Sequence, residues 1–438
     1  MNAKTLYSLI AAALVALIAA WWISSAQKPI SETAEQTKSL LPGFREQVNN
    51  VDAITLTGAE NKVLVTLKRG SDGWTIADKA GYPADLAKLR EFLLKLADAT
   101  VLEQKTSSPK HYAELGVGDV TEKDAGGVLV TLGGLKQPVK LIIGNYNGAG
   151  GGGTFVRRDG EAQSLLVKGN LTVDKTVAAW ERKDIADIAA TRLKQVTVTN
   201  PDGKALKVYK EQPGDANFKV ADVPKGREPS SDFVANTLAS TLSALHADDV
   251  FPAKDMPPAE KVYKADYLAF DGLGVGLVAW VKDGKDYAQL SARLDEGAAT
   301  AHVEGDQAKA QADYEAAMQA VKTAAKAPEA GDKNDKKSDA APDATAKAAA
   351  EPIAPLAVTD PAKDKAERLK VLNDEVATLN KTFGGWTFVL PNFKFSNIDK
   401  SMDDMLKPLE QKKPEAKDGK PAAAKPPAKA AAAPAQKR

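Results

Sequence analysis

A run of short alternating strands followed by one amphipathic helix occurs twice in this chain, 144 residues apart. In the first copy, Val51 to Ile76, apolar residues alternate at Ile54 and Leu56 and again at Val63, Val65 and Leu67, with turns at Gly58 and at Gly70 to Gly73. Period-two alternation broken by glycine reads as antiparallel strands. Pro83 and Asp85 then open a helix in which Leu86, Leu89, Phe92, Leu93, Leu96 and Ala97 recur at spacings of three and four. That spacing leaves one apolar stripe to lay on a sheet. The second copy runs from Arg192 to Val220, with Phe218 in the place of Trp74, and its helix over Asp232 to Leu245 carries Phe233, Leu238, Leu242 and Leu245. Each copy is extended by further alternating segments, between Gly126 and Arg158 and between Lys261 and Leu294. The expected fold class is α+β: duplicated modules of mostly antiparallel sheet covered by amphipathic helices, with one N-terminal transmembrane helix.

Composition sets the boundaries. The first module is expected over 51–190, after a polar connector at 28–50. The second is expected over 191–295 together with 366–406, because Ala, Lys, Asp, Glu and Pro dominate 296–365 and folded-looking sequence resumes afterwards. There a helix is expected over Ala366 to Leu379, and Trp386, Phe388 and Leu390 alternate as a strand returned late to its sheet. The 296–365 stretch reads as a low-complexity insertion in which Ala308 to Ala325 form a helical arm and the rest lacks the residues for a core. Residues 407–438 carry nine Lys or Arg against three Asp or Glu among Ala and Pro, the composition of a disordered basic tail.

Leu6 to Ile23 is an uncharged 18-residue run ending in Trp21 and Trp22. As a helix it would rise roughly 27 Å, the thickness of a bilayer's hydrocarbon core, with the two tryptophans at the membrane interface. Residues 1–27 are therefore expected to be a membrane anchor with a cytoplasmic N-terminus and an exported body. The alternative is a signal peptide cleaved after Ala26, since Ser24 and Ala26 are small residues at processing spacing.

Chemistry is sparse in this sequence. There is no cysteine, only three histidines occur, and 59 basic residues balance 58 acidic ones at a formal charge of +1. That removes thiolate chemistry and a broad cationic field for nucleic acid. His111, His246 and His302 stand in no metal-ligand spacing. The glycines between Gly148 and Gly153 lead straight into the strand Thr154, Phe155, Val156 instead of a helix, so they read as a hairpin loop and not a phosphate cradle. The acid pairs Asp248/Asp249 and Asp403/Asp404 receive no catalytic role. No catalytic, cofactor or metal residue is assigned. Trp74, Phe218 and Trp386 are read as structural anchors at comparable strand positions.

Residues 73–117 carry a tryptophan-bearing strand, a helix, a polar Lys/Ser segment and a short Tyr112, Leu115, Gly116, Val117 stretch, and 386–406 read WTFVLPNFKFSNIDKSMDDML. These pieces resemble the domain-of-unknown-function family DUF4340, over roughly 50–295 and 366–406. The resemblance implies a bacterial protein held by one N-terminal span, from a family often encoded beside ABC permease and ATPase subunits resembling the gliding-motility type. From it we expect a non-enzymatic, periplasmic accessory subunit of an inner-membrane ABC transport system, its partners being membrane lipid, a permease and an ATPase. The alternatives are an envelope scaffold that binds a ligand without a transporter, and an enzyme of unrecognised type.

Overall fold

The computed structural model describes residues 38–148, 152–325 and 352–408. Its first half contains β1 (Lys38–Ser39), β2 (Ala53–Thr57), β3 (Val63–Gly70), β4 (Gly73–Ile76), β5 (Tyr82–Pro83), α1 (Leu86–Ala97), β6 (Thr100–Gln104), the single turn α2 (Tyr112–Leu115), β7 (Val128–Leu132), β8 (Val139–Asn147), β9 (Gly153–Arg158) and β10 (Ser164–Lys168). The strands form one antiparallel sheet in the order β1-β6-β10-β9-β8-β7-β2-β3-β4-β5. Alternation does here what it dictates: Ile54, Leu56, Val65, Leu67, Val128, Val130 and Leu132 all point into one core. Asp85 caps α1 by accepting from the amides of Ala87 and Lys88 at 2.9 and 3.0 Å. Leu89, Phe92, Leu93 and Leu96 then bury on that core, each contributing about 1.5–3 kcal/mol.

The second half contains β11 (Asp184–Ala186), β12 (Leu193–Thr199), β13 (Ala205–Tyr209), β14 (Lys219–Val220), α3 (Asp232–Ala239), β15 (Leu245–His246), β16 (Asp249–Pro252), β17 (Tyr263–Ala269), β18 (Leu273–Lys282), β19 (Lys285–Leu294), α4 (Glu296–Ala325), α5 (Leu356–Thr359), α6 (Pro361–Phe383), β20 (Trp386–Leu390) and α7 (Asn392–Ile398). β11 and β15 pair separately, and the rest order as β14-β13-β12-β17-β18-β19-β20-β16. This matches the run β4-β3-β2-β7-β8-β9-β10-β6 of the first sheet strand for strand. In both halves the helix comes after the first strand of this run, β4 or β14, with the short β5 intervening in the first half.

The two halves differ most where the first turns directly from β9 to β10. There the second sends out α4, α5 and α6 before β20 returns to pair with Asp286 to Ala288 of β19. β20 is too short to cover all of β19, and α6 takes over the remainder. The Asn380 side chain accepts from the Ala292 amide and donates to its carbonyl, both at 2.8 Å, as a neighbouring strand would. Arg192 reaches both Glu375 carboxylate oxygens at 2.6 and 2.7 Å and Asp271 at 2.6 Å, tying α6 to the second sheet.

Several expectations are corrected. The 28–50 connector is folded from Lys38 onward, because Leu40, Leu41 and Phe44 are buried in the first core. The arm expected from Ala308 begins at Glu296, with Ala299 and Val303 buried; Ala- and Glu-rich sequence is strong helix former, whatever its complexity. The later helix spans Pro361–Phe383, started by the cap of Asp360 on the Lys363 amide. The helix expected over Asp232 to Leu245 ends at Ala239, and Phe233 lies 77% exposed instead of on the buried stripe. Among the described residues no helix is long and apolar enough to cross a membrane. The expected anchor, Trp21 and Trp22, and nearly all of the basic tail lie outside the described residues.

Candidate functional site

The densest charge chemistry sits where the two sheets meet. After β4 the chain makes a tight turn with Ala80 and Gly81 both at positive φ, 50° and 81°. This turn aims the side chains of Lys79 and Tyr82 at the second sheet, although Tyr82 still pairs through its backbone with Ile76 of β4. Tyr82 is fully buried in the second core, edge-on to Trp386 with ring centroids 4.9 Å apart. Its hydroxyl donates to the Arg182 carbonyl at 2.9 Å, and burial pushes its pKa up to about 12. Lys79 Nζ meets Asp249 Oδ1 at 2.7 Å, the Val250 carbonyl at 3.0 Å and Glu181 Oε1 at 3.2 Å, over the ring of Phe251. Glu181 is 1% exposed and also pairs with Lys183 at 3.0 Å, whose Nζ donates to the Asp248 carbonyl at 2.7 Å. Two cations thus sit against two anions, so the buried charge is paired.

Burial alone would push the Asp249 carboxyl up and the Lys79 ammonium down. Burial is the largest single influence on each, but the hydrogen bond between them, together with the Val250 amide for Asp249 and the Glu181 charge for Lys79, outweighs it, so Asp249 lies below its ordinary range and Lys79 above. A depressed carboxyl contributes stability above its unfolded pKa, near 3.9, that is lost as pH falls through the folded value. A raised lysine contributes stability below its unfolded pKa, near 10.4, that is lost as pH rises through the folded value. Asp249→Asn is therefore expected to flatten the acid limb of a urea-midpoint profile taken from pH 2 to 11. An acid limb unchanged by the substitution would remove Asp249 from this role.

A second constellation lies on the outer face of the first sheet, where residues 105–127 cross it. Tyr112 and Val117 are buried there on Ile142, beside Leu129 and Phe155. Arg157, 3% exposed, holds the crossing in place: it donates to the carbonyls of Val117 and Glu161, both at 2.9 Å, meets Asp119 at 2.5 Å and lies over the Tyr112 ring. The Tyr112 hydroxyl donates to the Ala162 carbonyl. The crossing segment touches the sheet backbone to backbone at Gly144, where a Cβ would stand 2.3 Å from the Leu115 carbonyl. Gly144→Ala is expected to cost about 1–3 kcal/mol by overpacking, read as a lower urea midpoint with accelerated amide exchange in 112–120. Wild-type exchange there would contradict the contact.

Residues 74–265 match the profile of a domain of unknown function, DUF4340. The chain carries a DUF4340 domain. No curated protein and no solved structure matches the chain. The matched DUF4340 region is not one sheet: it begins in β4 of the first, ends in β17 of the second, and contains Lys79, Tyr82, Tyr112, Val117, Glu181 and Asp249. The charged cluster of the junction thus falls within the match, while Trp386 of β20, with α4 and α6, lies beyond it.

Of the sequence-selected anchors, Trp74 is half-buried against the first core, and Phe218 is buried beneath Lys210 in the second. These two are equivalent, in β4 and just before β14. Trp386 is not comparable to them: it starts β20, the counterpart of β10, and packs on Tyr82. His111, His246 and His302 lie apart, beside Glu114, Asp184 and Asp306 respectively. Among the described residues no group of three or more His, Asp or Glu is placed to hold a metal. Sequence reasoning missed Lys79, Tyr82, Glu181 and Trp180, the last buried in the first core against Phe92.

Proposed function

We propose that this DUF4340 protein is a membrane-anchored, non-catalytic extracytoplasmic accessory subunit of an ABC transport system, its body built from a duplicated module. The repeated strand order supports the duplication. The observation that carries the functional reading is the junction: the DUF4340 domain locks two sheets through buried side chains, as suits a body presenting a surface to partners. The family's occurrence beside permease and ATPase subunits supplies the partners. Fourteen residues, 24–37, separate the apolar run from the first folded strand, a reach of at most about 50 Å. Tethering at that range raises the effective concentration of a membrane partner, so a small interface suffices.

The deciding experiment is affinity purification of the full-length protein, at native expression, from mildly crosslinked and detergent-solubilised membranes. Recovery of a polytopic permease with its ATPase is the expected result; recovery of envelope scaffolding components alone would overturn the reading in favour of a transporter-independent scaffold. Topology has its own test, because the chain contains no cysteine. Asp202→Cys, in the exposed β12–β13 turn, is expected to react with a membrane-impermeant maleimide in cells whose inner membrane is intact. Labelling only after lysis would place the body in the cytoplasm.

A further inference from the structure

The outer face of the second sheet has an open row where the first sheet is covered. Register makes the two rows equivalent: Thr57, Leu129, Ile142 and Arg157 lie side by side on β2, β7, β8 and β9, and Thr199, Lys264, Val278 and Gln289 on β12, β17, β18 and β19. The neighbouring strands agree, for Ser164 of β10 donates to the Thr106 carbonyl at 2.7 Å and Thr387 of β20 to the Met256 carbonyl at 2.9 Å. On the first sheet residues 105–127 seat Tyr112 and Val117 on this row. The corresponding crossing of the second sheet, 253–262, is shorter and packs its apolar residues on Trp280, Tyr287 and Val389. Beyond it the sheet is left as a trough of about 390 Å³ floored by Thr199, Lys264, Val278 and Gln289 and notched at Gly276 beside Ser291. One change in the row is chemical: where the first sheet has Leu129, the second has Lys264, exposed and without an anionic partner among the described residues. The carboxylate that lines the trough, Asp266, is held by both terminal nitrogens of Arg293 at 2.6 and 2.9 Å.

We propose that this row is a docking site for an acidic polypeptide segment of a partner protein, lying where the turn 112–117 lies on the first sheet. The first sheet shows that the row accepts a covering segment, there the helical turn Tyr112–Leu115 followed by Gly116 and Val117, and the uncompensated Lys264 selects a carboxylate opposite it. Thr199, Gln289 and Ser291 supply hydrogen bonds to backbone, and the absence of a side chain at Gly276 gives room for the chain to approach. The inference stands whether or not the partner is a transporter.

The test exposes full-length protein in detergent to two immobilised pools of twelve-residue peptides, matched in composition except for a fixed central Glu in one and Lys in the other. Retention is expected from the Glu pool. A peptide selected there is expected to bind at least tenfold more weakly to Lys264→Glu and to Ser291→Trp, and unchanged to Lys140→Glu on the first sheet. Val278→Arg replaces Ser291→Trp if the latter shifts thermal unfolding. Equal retention from both pools, no retention, or indifference to Lys264→Glu overturns the proposal. So does binding of phosphatidylglycerol vesicles that Lys264→Glu abolishes while neither pool is retained, which would assign the row to lipid.

Discussion

Lys79→Met is expected to destabilise the protein by about 3–5 kcal/mol, among the largest effects available to a single substitution in it. Glu181 is the reason. Its carboxylate is 1% exposed, and with Lys79 gone Oε1 keeps no cation, leaving the Lys183 contact at 3.0 Å to the other oxygen as its compensation. Truncating one member of a buried pair strands the other's charge in a medium that solvates it poorly. Removing both charges avoids this, so Lys79→Met combined with Glu181→Leu is expected to recover at least about 2 kcal/mol relative to the sum of the single changes, within the range seen for contacting residues. Asp249→Asn should cost less than either, because Asp249 is partly exposed and water takes over part of its solvation. Urea denaturation of the four corners of the cycle measures the coupling. Additive single effects would show that Lys79 and Glu181 do not depend on each other, and the junction would lose its electrostatic account.

What the sequence revealed and what it hid follow the range of the interactions. Alternation and helical spacing are local, so Ile54, Leu56, Val65 and Leu67 could be placed on an inner face, and the late strand Trp386–Leu390 could be assigned to the second sheet across a long insertion. The antiparallel architecture followed from the same patterns. Phe233 fits the helical period yet lies exposed, because α3 is only eight residues long and its N-terminal turn overhangs the core. The alanine-rich stretch after Glu296 looked unable to pack because its composition is so plain; Ala299 and Val303 suffice to seat its first turns. The junction had no local signature. Lys79 and Glu181 stand about a hundred residues apart, each among charged neighbours typical of a surface turn, and only the meeting of two sheets makes them partners. The open row on the second sheet was equally hidden, since it emerges from comparing registers and not from any motif.

Tyr82→Ala should be as damaging as the loss of Lys79, at about 3–5 kcal/mol, but for a different reason and with a different spatial signature. Tyr82 belongs by sequence to β5, at the edge of the first sheet, and by packing to the core of the second, where it is fully buried against Trp386. Deleting the ring leaves a cavity in the second core and an unmet carbonyl at Arg182. Tyr82→Phe keeps the ring and removes the hydroxyl alone, so its cost should fall to about 1 kcal/mol. Hydrogen exchange distinguishes the two cores. In Tyr82→Ala the loss of protection is expected to be greatest in β20, which carries Trp386, and in its neighbours β16 and β19, and smaller in β7, β8 and β9, although the substitution is in the first sheet. If protection fell only in the first sheet, Tyr82 would be an ordinary edge residue and the two sheets would be joined by the charged cluster alone. If it falls in the second, the edge strand of one sheet completes the core of the other, and the two sheets are stable only as a unit.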